Sequence, residues 1–489
     1  MGFNWRYIGA LPVFAGAWGC IEPYVPPPAT TYGVDGGPLT KGYDEAAAAH
    51  VPPESGRSGT PLPPKAVDLF SADTLKAVTP TGPTMNLDEV VRLAVLRDPA
   101  IRAALADVSA AQADVVRSGT WQNPSVVAIQ SLVPFPGRPF TESRSGGPPQ
   151  LDIAINYALD RIVFGKRSAT VARDRLAVDV ASAAHADRVR SRVAEAVTAY
   201  VDVLQARALF VLASEVYGHA QKLQDVTNAR TGATAAAERG RVRIFHLTTH
   251  RAVINAAAAL EGARARLRER LVLKVEEPTP EPVGFAHVDH PAPPPTEEAA
   301  IRAAFESRPD LEASRRDIER ARQSVVAEQR EGWPLFGVSA TVGHQWQEQA
   351  LGMPNVWSYG FGITGTIPIL DRNQGGVARA YAELMATEAA RSATAQRVEA
   401  EVRTALARYR AAYQAIVEDN VGLMQGAGEM REGIRQAYAS GAKSLVEVLD
   451  AEQAFSDAMR LEIEEEAGYI RTYHLLNAAV GRPVLSSEP

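Results

Sequence analysis

Apolar or small side chains recur at Val398, Val402, Ala405, Tyr409, Ala412 and Ile416, in steps that alternate between four and three residues. That is the seam spacing of helices packed as in a coiled coil. The seam lies in a proline-free stretch, Ile369 to Arg482, with Gly441 near its middle. The pattern predicts two very long helices folded back on each other at Tyr438-Ala439-Ser440-Gly441-Ala442-Lys443-Ser444. Subtracting 209 from the numbers gives Val189, Val193, Ala196, Tyr200 and Val203, until Arg207 breaks the match; Gly441 maps onto Gly232. The hairpin is predicted twice.

Each half begins with a shorter helix. Asn86-Leu87-Asp88-Glu89 reads as an N-cap with a glutamate three residues on, a capping box. Pro99 and Pro124 in the first half, and Pro309 and Pro334 in the second, stand at the same interval of 25 residues. Pro99 and Pro309 each remove an amide donor, so each kinks the helix or starts a new one. After Pro124 and Pro334 the period changes to two. Leu151, Ile153, Ile155 and Tyr157 alternate with polar or small residues, as do Phe336, Val338, Ala340, Val342 and Trp346, and then Trp357, Tyr359, Phe361 and Ile363. With a weaker run from Ser125 to Leu132, this makes two strands per half. Their length, about 8 to 12 residues, suits a transmembrane strand with an apolar lipid face and a polar lumen face. A soluble antiparallel sheet with one face against helices has the same alternation. Four strands cannot close a membrane barrel, since the smallest have about 8, so a membrane barrel requires several chains.

Length sharpens the choice. No proline interrupts Asp160 to Ala229 or Asp371 to Tyr438. At about 1.5 Å rise per residue each run would reach on the order of 100 Å if wholly helical. An ordinary globular domain needs nothing so long; a tunnel across a periplasm does.

The ends and breaks carry less pattern. Arg6, the apolar run Ile8 to Ala17 and the small residues of Ala17-Trp18-Gly19 resemble a signal peptide over residues 1–19. Cys20, the only cysteine, follows at once and resembles the acylated first residue of a bacterial lipoprotein, although a plain signal peptide with an incidental cysteine fits the same residues. Residues 20–84 are rich in Pro, Gly, Thr and Ser and predict an extended tether. A second proline-rich break, 277–295, separates repeat one (85–276) from repeat two (296–489). Both breaks read as spacers. The net charge of −6 argues against nucleic acid as a partner.

Reaction chemistry is scarce. His246-Leu247-Thr248-Thr249-His250 has the histidine spacing of a zinc-protease helix, but threonine stands where that motif needs glutamate. The chain carries no phosphate-binding loop, dinucleotide fingerprint or nucleophile elbow. No catalytic residue, metal site or cofactor is expected, and no enzyme; energy for transport must come from a partner.

From Asn86 to Val484 the chain resembles the TolC-like outer-membrane efflux proteins, as two copies of helix, strand, strand and long helical hairpin. The stretch Tyr438 to Ala451, a glycine turn followed by Glu447-Val448-Leu449-Asp450-Ala451, is similar to the family's second periplasmic tip, and Leu475 to Gly481 to its ending. Arg230-Thr231-Gly232-Ala233-Thr234 fits the first tip, with a basic run from Glu238 to Arg243 in place of the expected continuation. The resemblance implies a mainly α homotrimer with a shared 12-stranded transmembrane β-barrel and a long helical periplasmic tunnel. Glu447 and Asp450 would line the narrowest ring, where three copies of like charges should raise the pKa of some members. Tyr438 and Lys443 would hold neighbouring hairpins together in the closed state. Arg230, Gly232, Gly441 and Ser444 would meet a periplasmic adaptor. Asn123-Pro124 and Phe164-Gly165-Lys166-Arg167 resemble elements of the CzcC/CusC-like, metal-resistance branch. That tilts the expectation towards a resistance-nodulation-division pump exporting metal ions or small toxic molecules, from an outer membrane whose lipid the barrel contacts. A type I outlet for polypeptides and a non-channel periplasmic coiled-coil scaffold are the alternatives.

Overall fold

The computed structural model describes residues 82–131, 148–229, 235–283, 291–419 and 423–485. Cys20, the signal peptide, nearly all of the tether, and the tip residues Arg230 and Gly232 lie outside the described residues.

Strand β1 (Thr84–Met85) leads into α1 (Leu87–Arg97) and α2 (Pro99–Gly119). Asn86 and Glu89 form the expected capping box at the start of α1. Pro99 does not kink a continuous helix; it takes the first position of a new one. Asp98 caps that helix by accepting from Ala100 and Ile101 at 2.6 and 3.0 Å. Strands β2 (Ser125–Ser131) and β3 (Gln150–Ala158) follow, then the single turn α3 (Asp160–Val163). The first hairpin is α4 (Lys166–Asn228) and α5 (Ala235–Arg270). α4 has 63 residues and therefore spans roughly 95 Å.

After the short strand β4 (Glu281–Pro282) the order repeats as α6 (Glu297–Ser307), α7 (Pro309–Glu331), β5 (Leu335–Gln345), the turn α8 (Glu348–Leu351) and β6 (Val356–Thr366). The second hairpin differs from expectation. Its first arm is α9 (Gln374–Gln414), a π-helical segment (Ala415–Asp419) and α10 (Leu423–Ala439), so it is not one uninterrupted α-helix. Its return arm is α11 (Leu445–Val480).

The strands form one antiparallel sheet in the order β2-β3-β5-β6, with β3 and β5 joining the repeats. Register sorts the side chains by face. Val126, Ile155, Ala340 and Phe361 form one cross-strand row, and Ala128, Ile153, Val342 and Tyr359 the next. The opposite face carries Val127, Ala154, Thr341 and Gly360, then Ile129, Asp152, Gly343 and Ser358. The apolar face is left uncovered, with Phe361 90% exposed. Among the described residues no helix covers it, whereas the soluble-sheet alternative calls for one.

The main core lies along the helices, where the repeated seam meets α1, α6 and the chain end. Val193, Ala196, Tyr200 and Val203 are buried there with Val398, Val402 and Tyr409. Ala405, Ala412 and Ile416 pack against that core while half-buried. The two seam tyrosines hold the linker between the repeats. The Tyr200 hydroxyl donates to the Val283 carbonyl at 2.7 Å, and that of Tyr409 to Ala292 at 2.6 Å.

The linker is accordingly not a free spacer. β4 pairs in parallel with β1 at the end of the tether. Glu281, 2% exposed, lies between Arg207 at 2.7 Å and Arg264 at 2.6 Å. Arg207, which breaks the seam in sequence, is thus one of the residues that pin the linker. Burial lowers its pKa, opposed by the charge of Glu281.

One stretch of α4 is apolar enough to cross a membrane by composition, but over half of it is buried in the fold, which accounts for its character.

Candidate functional site: the second hairpin tip

The second tip is built by two helix ends that satisfy their own backbone. α10 closes with a Schellman arrangement: the Ala442 amide donates to Ala437 at 2.8 Å and the Gly441 amide to Tyr438 at 3.0 Å. Gly441 sits at φ +80°, the left-handed region where side chains are strained. Ser444 then caps α11 in a capping box with Glu447. One Glu447 carboxylate oxygen accepts from the Ser444 amide at 2.8 Å, and the other from Lys443 Nζ at 2.6 Å. Lys443 and the Ser444 cap hold the Glu447 carboxyl at about 2, below its ordinary 4.5. Within one protomer the cation and the cap set this direction; the crowding of like charges concerns three copies together.

Glu447 and Asp450 are three residues apart on one side of α11. Leu445 and Val448 turn the other way, into a small cluster with Tyr438 and Val242, against which Leu223, Ile434 and Leu449 pack. That cluster draws on α4, α5, α10 and α11. Tyr438 therefore joins the two hairpins of one protomer by burial. Lys443, in the turn before α11, pairs with Glu447 of that helix.

One feature of α11 was missed in sequence. Among its buried positions, Leu445, Val448, Glu452, Phe455, Met459, Glu462, Glu466, Tyr469, Tyr473, Leu476 and Val480 follow one another in alternating steps of three and four. Carboxylates at the seam positions 452, 462 and 466 are the signal that could have found a buried charge cluster. At Glu452, 3% exposed, His219 Nδ1 approaches to 3.5 Å and Arg435 Nε to 3.9 Å. One turn away Arg431 lies 3.5 Å from the Phe455 ring centroid and 3.2 Å from Glu215.

The other singled-out motifs lie elsewhere. His246 and His250 both stack on Tyr217, with ring centroids at 5.0 and 5.1 Å. Among the described residues no three His, Cys, Asp or Glu side chains group as metal ligands. The Phe164 to Arg167 element sits where sheet meets helix. Lys166, 2% exposed, faces Asp160 at 3.3 Å, and Arg167 donates to the Gly119 carbonyl at 2.9 Å and lies over Trp121. That element joins α2, α3 and α4 and takes no part in the tip.

Comparison with known proteins agrees with this architecture. A search of curated protein sequences finds no match. Among solved structures, CusC matches at 16% identity over 88% of this chain and 99% of its own, with a TM-score of 0.62. The outer-membrane channel OprN matches at 19% identity over 87% and 98%, with a TM-score of 0.61. The open-state MtrE outer membrane channel of Neisseria gonorrhoeae matches at 17% identity over 81% and 89%, with a TM-score of 0.63. These alignments cover too much of the chain to be confined to one repeat, whereas the family model described as outer membrane efflux protein matches residues 300–482, essentially the second repeat. Residues 300–482 thus match the outer membrane efflux protein family, and the chain as a whole has the fold of the solved outer-membrane efflux channels.

Proposed function

We propose that the protein is the outer-membrane conduit of a tripartite efflux system, a homotrimer that carries small molecules or metal ions from a periplasmic adaptor and an inner-membrane pump to the exterior. The observation that carries this reading is the four-stranded sheet. One of its faces is apolar and uncovered, and its edges β2 and β6 pair with no other strand among the described residues. Unpaired edges and a bare apolar face are liabilities in water. Both are relieved if three chains contribute four strands each to a closed barrel in lipid, above the roughly 8-strand minimum. The hairpins continuing from the sheet supply a tunnel on the order of 100 Å long.

Glu447 and Asp450 form the constriction in this reading. Three protomers would present six carboxylates, favouring cations and repelling anions. The tips around Arg230, Gly232, Gly441 and Ser444 receive the adaptor, and acylated Cys20 tethers the chain to the outer membrane. A tunnel wall is generic, so the pump, of the resistance-nodulation-division type, selects the cargo.

Single-channel conductance in a planar bilayer tests the proposal. Wild type should give small, cation-selective currents. A Glu447→Ala/Asp450→Ala variant should give larger or less selective ones. A conducting channel indifferent to the change removes the gate residues and keeps the conduit. A protein that is soluble without detergent and never inserts is instead a scaffold.

A further inference from the structure

The carboxylate of Glu452 occupies a seam position of α11 where helix packing calls for an apolar side chain. It is buried to 3% exposure, yet neither cation near it reaches the 2.7–2.9 Å typical of a charge-assisted hydrogen bond. His219 stands at 3.5 Å and Arg435 at 3.9 Å. Among the described residues, Glu452 Oε2 and His219 Nδ1 are buried without a hydrogen-bond partner. The three side chains come from three helices: His219 from α4 in the first hairpin, Arg435 and Glu452 from the two arms of the second.

The surrounding charges leave His219 as the variable one. Arg435 also faces Glu432 at 3.8 Å, which divides its charge between two carboxylates. Arg431 is committed to Glu215 and to the face of Phe455. On α5, the histidines His246 and His250 face Tyr217 of α4.

We propose that His219 and Glu452 form a proton-controlled latch that bolts the first hairpin to the second just behind the tip cluster, tight when the imidazole is charged and loose when it is neutral. An imidazolium gives Glu452 a full counter-charge across the hairpin boundary. A neutral imidazole leaves the carboxylate to a shared, distant arginine. Histidine is the side chain whose charge is most readily switched near physiological pH, so the latch tightens in more acidic surroundings and slackens as pH rises. As control of the tip opening it rests on the conduit reading; as a link between hairpins it does not.

Hydrogen exchange of the purified full-length protein in detergent, corrected for the intrinsic effect of pH, tests the latch. In wild type the segments around Arg435 and Glu452 should exchange about three- to tenfold faster at about pH 8 than at about pH 5.5. His219→Gln should exchange fast at both values, and His219→Arg, which keeps the charge, slowly at both. A wild type without pH response, or a His219→Gln variant that keeps it, overturns the latch. The readout needs no ion current: a protein that latches but does not conduct leaves this inference standing and removes the conduit.

Discussion

At Glu447 one side chain serves both helix and site. Its carboxylate closes the capping box of α11 and receives Lys443, so the group proposed for the constriction also holds the tip in shape. Its folded pKa is depressed to about 2 from 4.5. The stability it contributes is therefore complete above pH 4.5 and lost as pH falls through about 2. Hydrogen exchange at Ser444 to Val448 should be flat from neutral pH down to about 4.5 and rise only below it. A rise centred near pH 6 would show that a neighbouring carboxylate outweighs Lys443. The glycine at 441 and the small residues beside it were legible because a left-handed turn admits few alternatives. The lowered pKa was not, since it depends on where the Lys443 amine comes to rest.

At the scale of elements, local signals were read well. The capping box at Asn86, the paired prolines and the repeated seam appear as expected, because each depends on residues within a few turns of one another. The linker was misjudged. Its prolines pointed to a spacer, but Glu281 lies buried between Arg207 and Arg264, which are 74 and 17 residues away. Replacing Glu281 with alanine removes the carboxylate that two buried guanidinium groups share, and should lower stability by about 3–5 kcal/mol in thermal unfolding in detergent. Removing the exposed Arg379, whose Glu383 partner is also in solvent, should leave the transition unmoved. Equal effects would mean that the buried cluster contributes no more than a surface pair.

The whole molecule turns on the sheet. Alternation made four strands legible, and register sorts them into an apolar and a more polar face. Phe361→Arg, in the middle of the apolar face, should cost about 2–4 kcal/mol at the bilayer midplane and prevent insertion into lipid vesicles. Thr341→Arg, on the opposite face, should insert and change conductance instead. Insertion of both variants alike would show that the sheet does not face lipid in the way its register implies. The first repeat lies outside the matched family domain, yet the structural alignments extend into it. Helix packing constrains the spacing of side chains more than their identity, so the architecture persists where residue-level likeness fades.

By itself the sequence determined the two-fold order of elements, the long hairpins, the glycine turn and the carboxylates behind it, because period, caps and turns are local and repeat along the chain. Tertiary structure alone decided which distant residues share an environment: β3 beside β5, the linker strand beside the tether, Tyr438 against Val242, and His219 against Glu452. A buried carboxylate or arginine is written in the sequence as one charged letter among 108. Only packing reveals whether water or another helix surrounds it, and that decides whether its charge contributes little or controls how two hairpins hold together.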